Sequence, residues 1–188
     1  MGMLLALGIF VIVERTVAPR YSFVTPADDA IPFVPLTWGL YVLFFPFVVA
    51  LSAGARENVF NKFKCSVVMA FILSIACFQF FPEVVPRPVP AAIDNAFLRA
   101  RITRLWEMDL ASNGLPSLHV SVTCLASHMA WQTRHRLVVH ITGLSICLST
   151  LTLKQHTLAD VAGGVLMALC CCLVTERWQR REILRGRA

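Results

Sequence analysis

The stretch Thr157-Leu-Ala-Asp160-Val-Ala-Gly-Gly-Val-Leu-Met-Ala-Leu-Cys-Cys-Cys-Leu-Val-Thr175 decides the fold. Asp160 is its one ionisable acid or base; every other side chain is apolar, small, hydroxylic or a thiol. About 20 such residues in a helix cross the ~30 Å hydrocarbon layer of a bilayer. Lys154, Gln155 and His156 stand just before the run, and Glu176 and Arg177 just after it. Working outward, comparable runs lie at roughly 36–53, 64–81, 116–131 and 136–153, with a shorter one at 3–17. The last is read as a short first span. A cleaved signal peptide would need basic residues at its start and a small-residue cleavage site, and neither is present. Composition agrees: of 188 residues, 57% are hydrophobic and 15% charged, with a mean hydropathy of +0.68. Soluble domains sit nearer ~45–50% and ~25%. A soluble globular chain and a disordered one are both excluded. The expected fold is all-α, a polytopic membrane bundle of about six transmembrane helices forming one domain over 1–188.

The net charge of +6 would suggest nucleic acid in a soluble chain, but here its distribution along the chain matters more. The connections 54–63 and 132–135 and the tail 176–188, with their flanks, hold ten basic residues against three acids. The alternate connections hold seven against eight. Basic loops stay cytoplasmic, so both termini are expected inside and the 82–115 segment outside. The basic tail would face anionic headgroups. The expected partner is the bilayer, not nucleic acid. The chain is expected in a plasma or inner membrane, or an endomembrane in a eukaryote. The seven cysteines lie in or beside apolar runs without a C-x-x-C pair, so neither a disulfide framework nor a zinc site is read. The 82–115 segment opens with prolines at 82, 86, 88 and 90, which forbid continuous helix. From Asp94 to Trp106, apolar residues interleave with Arg99, Arg101 and Arg104, predicting a short amphipathic helix in the interface.

Ionisable groups at span ends are costly in lipid. Three such clusters stand out: Arg87-Pro88 after the third span, Asn113-Gly-Leu-Pro-Ser-Leu-His119 opening the fourth, and Lys154-Gln-His-Thr-Leu-Ala-Asp160 opening the sixth. His156 follows His119 by two crossings of ~25–30 Å each, so all three clusters share one face. His156 and Asp160, four apart, would share a helix face. The carboxylate would fix the imidazole tautomer and leave the other nitrogen free as a nucleophile. Pro116 suits a first helical turn. Ser117, Leu118 and His119 would then offer backbone N–H groups to an anion, with the helix dipole behind them. Arg87 supplies a fork for phosphate oxygens, and His119 a proton for a leaving oxygen. A cradle for an anion, an oriented nucleophile and a proton donor together describe phosphoryl transfer.

Arg87-Pro88, Pro116-Ser-Leu-His119 and His156-x-x-x-Asp160 followed by Val161-Ala-Gly163 resemble the type-2 phosphatidic-acid phosphatase superfamily of membrane enzymes. Ile31-Pro-Phe-Val-Pro35 and Phe81-Pro-Glu-Val-Val-Pro-Arg-Pro88 look most like its inositol-phosphorylceramide-synthase-like branch. The likeness covers roughly 30–170. It implies six helices, a phosphohistidine on His156, His119 as acid, Asp160 as orienter, and phosphate held by Arg87, Ser117 and the Leu118 backbone. It also implies that neither metal nor cofactor is required. Two cations of the family pattern are missing: Phe80 stands at the Lys of the first motif and Thr150 at the Arg of the third, and Leu118 replaces a common Gly. The resemblance implies that the ceramide-linked transferase branch tolerates these losses. Lys154 is the accessory candidate for restoring charge, with Arg99, Arg101 or Arg104. The expected activity is that of a lipid-phosphate phosphatase or headgroup phosphotransferase on the extracytoplasmic face, with a phosphorylated lipid substrate and, for transfer, a lipid alcohol acceptor. Two other readings compete: a silent membrane protein that keeps the fold, and a metal-dependent enzyme or metal transporter using His119, His156 and Asp160 as ligands.

Overall fold

The computed structural model describes residues 8, 9, 12, 15–112 and 114–186. Most of the expected span at 3–17 lies outside these residues, as do Asn113 and the final Arg187-Ala188. The described chain is helical. Its α-helices are α1 (Pro26–Ala30), α2 (Trp38–Val42), α3 (Phe44–Gly54), α4 (Glu57–Phe80), α5 (Ala96–Met108), α6 (Leu118–Met129), α7 (Arg136–Thr152) and α8 (Leu158–Arg185). Single 3₁₀ turns at Pro35–Thr37 and Pro90–Ala92 precede α2 and α5.

Each of the five expected runs within the described residues is helical, but their lengths differ from the sequence expectation. Pro35–Gly54, Glu57–Phe80 and the first 24 residues of α8 are long and apolar enough to cross a membrane. α4 and α8 extend past the apolar runs, α4 at its start and α8 at its end, and the extensions carry Lys62, Arg177, Arg180 and Arg181. α6 is the main correction. At 12 residues it spans only ~18 Å, and it is the centre of the bundle. Val120 to Thr123 and Leu125 to Ser127 are all buried. α4, α7 and α8 pack around α6, and α3 completes the ring.

The main core is Phe47, Phe63, Val67, Ala70, Val122, Leu125, Ala126, Ile146, Ala168 and Cys171. Hydroxyls tie the helices together across it, where lipid offers no competing partner. Ser66 Oγ donates to Thr175 Oγ1 at 2.9 Å, and Ser121 Oγ to the Gly164 carbonyl at 3.0 Å. Gly164 is where α6 and α8 touch. A Cβ there would sit 2.7 Å from the Ser117 carbonyl and 3.0 Å from Val120 Cβ.

A second apolar cluster caps one end: Tyr41, Ile93, Ile102 and Leu153, with Phe33, Leu98, Leu105 and Trp106 against them. The amphipathic helix expected at 94–106 is α5, started by Asn95, whose side chain accepts from the Leu98 amide at 3.0 Å. Its apolar face is docked on this cluster, so it forms a lid on the bundle end as well as an amphipathic surface. Three extended pieces lie beside it. Arg20 and Tyr21 donate to the Pro82 carbonyl, Val84 donates to Tyr21, and Val85 donates to Ala111. This backbone mat turns Glu83 inward, where it is fully buried.

Candidate active site

The site begins where α7 ends. The amides of Gln155 and His156 both return to the Thr150 carbonyl, at 3.0 and 3.3 Å. Lys154 takes the left-handed conformation (φ 54°) that closes helix ends and that glycine usually occupies. The turn reverses the chain into α8. Thr157 then opens α8 as one half of a capping box: its Oγ1 accepts from the Asp160 amide at 3.3 Å, and its own amide donates to Asp160 Oδ2 at 2.8 Å. The same Oδ2 lies 3.2 Å from His156 Nδ1. The two residues meet for a different reason from the one expected. His156 precedes the helix and shares no face with Asp160; the capping box turns the carboxylate back toward it. Asp160 is fully buried and the His156 side chain is 13% exposed. With Nδ1 on the carboxylate, Nε2 is the nitrogen left for chemistry.

Asp28 reinforces this turn from 130 positions away. Its Oδ1 accepts from the Leu158 amide at 2.7 Å, and its Oδ2 from the amide and hydroxyl of Thr25 at 2.8 and 2.6 Å. Lys154 Nζ donates to the Asp28 carbonyl at 2.7 Å, so the accessory cation is anchored at the cleft edge.

α6 starts alongside. Ser117 is its N-cap: the hydroxyl accepts from the Val120 amide at 3.3 Å. Its amide, one of the expected anion donors, goes to the Asp160 carbonyl at 3.1 Å and joins the first turns of α6 and α8. Leu118 is the first helical residue. His119, one residue on, lies between the rings of Tyr41 and Phe44, with centroids 4.3 and 4.1 Å away. Its Nε2 is buried without a hydrogen-bond partner.

Arg87 reaches the same end from the far side of α4. Its Nη1 donates to the Asp109 carbonyl at 2.6 Å; its Nη2 donates to the Leu110 carbonyl at 3.0 Å and to Gln155 Oε1 at 2.7 Å. Trp106 lies under the guanidinium, 6.0 Å from its centroid. The fork is thus held by the α5 end and by the residue before His156.

These elements enclose a cleft of ≈ 270 Å³ whose lining includes Arg87, Lys154, His156, Thr157, Asp28 and Asp29. The structure therefore brings Arg87, Lys154 and His156 to one opening, with Asp160 behind His156. Ser117 and His119 stand next to it in the first turn of α6, outside the lining. The positions of the missing family cations point elsewhere: Phe80 is exposed at the end of α4, and Thr150 is fully buried with its hydroxyl on the Cys147 carbonyl. The arginines of α5 are used locally. Arg99 donates to the Ile93 and Asp94 carbonyls, Arg101 lies over Phe97, and Arg104 pairs with Glu107.

Sequence reasoning missed four residues here. Gln155 sits between two residues it did single out, and its amide gives no signal of its own. Asp28 and Tyr41 reach the site only through tertiary packing. Glu83 had a trace, an acid set among prolines just before Arg87, but nothing in the sequence shows which way it turns.

Comparison with known proteins places these observations in a family context. The profile of the PAP2 superfamily matches residues 36–174. No curated protein matches the chain. Among solved structures, the crystal structure of Aquifex aeolicus LpxE is similar to this chain with a TM-score of 0.54 and 16% identity, over 92% of this chain and 95% of that one. At that identity the likeness is one of fold.

Proposed function

The chain belongs to the PAP2 superfamily, and from that premise we propose that it is a membrane lipid-phosphate phosphatase or headgroup phosphotransferase working through a phosphohistidine. One observation carries the reading: a histidine with one nitrogen on a buried carboxylate opens on a cleft that also holds an arginine and a lysine. His156 Nε2 attacks phosphorus, Asp160 holds the opposite nitrogen and stabilises the imidazolium, and Arg87 and Lys154 attract the phosphate oxygens. His119, in the first turn of α6, gives its proton to the leaving oxygen. Water then releases phosphate, or a lipid alcohol accepts it. The absence of two family cations at Phe80 and Thr150 favours the inositol-phosphorylceramide-synthase-like branch. The Leu118 amide completes the phosphate cradle, and Ser117, whose amide is on the Asp160 carbonyl, caps α6 beside it. No metal is needed. A metal-dependent reading fits less well, because Arg87 and Lys154 line the same cleft and would repel a divalent cation.

The test is turnover in EDTA on phosphatidic acid, on a prenyl diphosphate, and on a phosphoinositide with ceramide or diacylglycerol as acceptor. We expect at least one substrate to be turned over, and His156→Ala to lower that turnover by about 10³-fold or more, as loss of a nucleophile does. Full activity of His156→Ala on every substrate used would overturn the mechanism.

A further inference from the structure

Among the described residues, Glu83 is the one fully buried carboxyl that this reading leaves unused. Both of its oxygens, and Oδ1 of Asp160, lie buried without a hydrogen-bond partner. The two side chains converge beside Gly114: a Cβ on that glycine would meet Glu83 Oε1 at 2.6 Å, Asp160 Oδ2 at 2.8 Å and His156 Nδ1 at 3.2 Å. Two bare carboxylates packed together out of water repel strongly, and neither could satisfy the other, because both only accept. One proton removes both difficulties. A carboxylic acid donates to a carboxylate, and the pair then holds a single negative charge.

The proton's place follows from the neighbours. Asp160 already accepts from the Thr157 amide and faces His156 Nδ1, both of which favour its ionised form. Glu83 has one nearby donor, the Gly114 amide, and no hydrogen bond of ordinary geometry. It comes from the backbone mat, whose Tyr21 ring turns away to Phe23 and Phe81. The groups that face it are Asp160 from α8, His156 behind that, and the Gly114 amide, which offsets only part of their effect. Burial, and then the adjoining Asp160, push the Glu83 carboxyl up to about 9.

Resting on the phosphohistidine reading, we propose that Glu83 is a positioning residue: as a neutral acid it donates a hydrogen bond to Asp160, keeping that carboxylate ionised and aimed at His156. No bond to substrate is involved; the proton stays between the two carboxyls while His156 is phosphorylated and released. When base removes it, two negative charges face the imidazole and the incoming phosphate, and turnover falls.

The experiment has two arms. In the first, turnover of the best substrate from the panel is followed against pH for wild type, Glu83→Gln and Glu83→Ala. Glutamine keeps a donor for Asp160 and carries no titratable proton. Wild type should lose kcat as pH rises through about 9, and Glu83→Gln should lack that decline. Glu83→Ala should lose about 10- to 100-fold in kcat, the range seen when outer hydrogen-bond partners of metal-ligating histidines are removed, and glutamine should recover most of it. In the second arm, infrared difference spectra of the detergent-solubilised protein are read for the C=O stretch of a protonated carboxylic acid. Wild type should show the band at neutral pH and lose it near pH 9; Glu83→Gln should not. This band is independent of any turnover. Activity without the band, or an alkaline decline unchanged in Glu83→Gln, overturns the shared proton and leaves the phosphohistidine intact. The band without any His156-dependent turnover supports the shared proton and fails the phosphohistidine.

Discussion

Gly114 is glycine because a side chain there would occupy the space where three functional atoms meet. A Cβ in Gly114→Ala would lie within 3 Å of Glu83 Oε1 and Asp160 Oδ2, and both belong to short, buried side chains with little room to retreat. Overpacking of this kind costs ~1–3 kcal/mol. Here the cheapest relief is to swing Asp160 off His156, so the variant is expected to lose kcat out of proportion to its fall in unfolding midpoint. Parallel measurement of kcat and of thermal unfolding in detergent checks this; loss of stability alone, with kcat intact, would remove the glycine from the site. The sequence made the gathering of these residues legible at this scale but not their contacts. The span ends place His156, Asp160 and Arg87 on one face, and the structure does gather them at one end. The reason for the His156–Asp160 contact was not legible. Four-residue spacing suggests a shared helix face, whereas a capping box makes the contact from just outside the helix. Glu83 was hidden for a general reason: in an irregular, proline-rich segment no periodicity tells inward from outward.

Among the elements, the start of α8 matters most, because it sets where His156 stands. Two acids cap it, Asp160 from within and Asp28 from the segment before α2. Burial acts to raise the Asp28 carboxyl, but the Thr25 hydroxyl and the amides of Leu158 and Thr25 outweigh it and hold it below its ordinary 3.8. A carboxyl lowered on folding adds stability that is present above the unfolded value and is lost as pH falls through the lower native value. The wild-type unfolding midpoint should therefore drop as pH goes from about 4 downward, and Asp28→Asn should drop less steeply over that range. Asp28→Ala, which removes the cap itself, should cost about 1 kcal/mol at neutral pH. A midpoint equal to wild type at neutral pH in Asp28→Ala would show that the cap contributes nothing. The long apolar helices were legible as runs of composition. The shortness of α6 was not, since burial by protein and burial by lipid both select the same apolar residues. The docking of α5 was not either, because an amphipathic face suits a protein surface as well as an interface.

At the scale of the whole molecule, the antiparallel order of α4, α6, α7 and α8 divides the bundle into two unlike ends. The site end gathers the close of α4, the starts of α6 and α8, and α5. The far end carries the connections after α3 and α6 and the extension of α8, where His128 Nε2 and Glu176 Oε1 lie 3.3 Å apart. The far-end loops hold the whole basic excess, ten basic residues against three acids with their flanks. Translocating such loops is disfavoured, so we expect them in the cytoplasm and the cleft facing out. Reporter fusions measure this directly. Alkaline phosphatase joined after Asp94 should be active, and a fluorescent protein joined after Arg134 should fluoresce. The reverse pattern would place the cleft in the cytoplasm and require a substrate from the inner leaflet. With the expected pattern, an outer-leaflet lipid phosphate reaches Arg87 and Lys154 without crossing the bilayer, and the basic end of α8 lies against the anionic inner leaflet, where each Lys or Arg near the surface contributes ~1 kcal/mol of attraction. In that orientation the same charge asymmetry would also select which leaflet supplies the substrate.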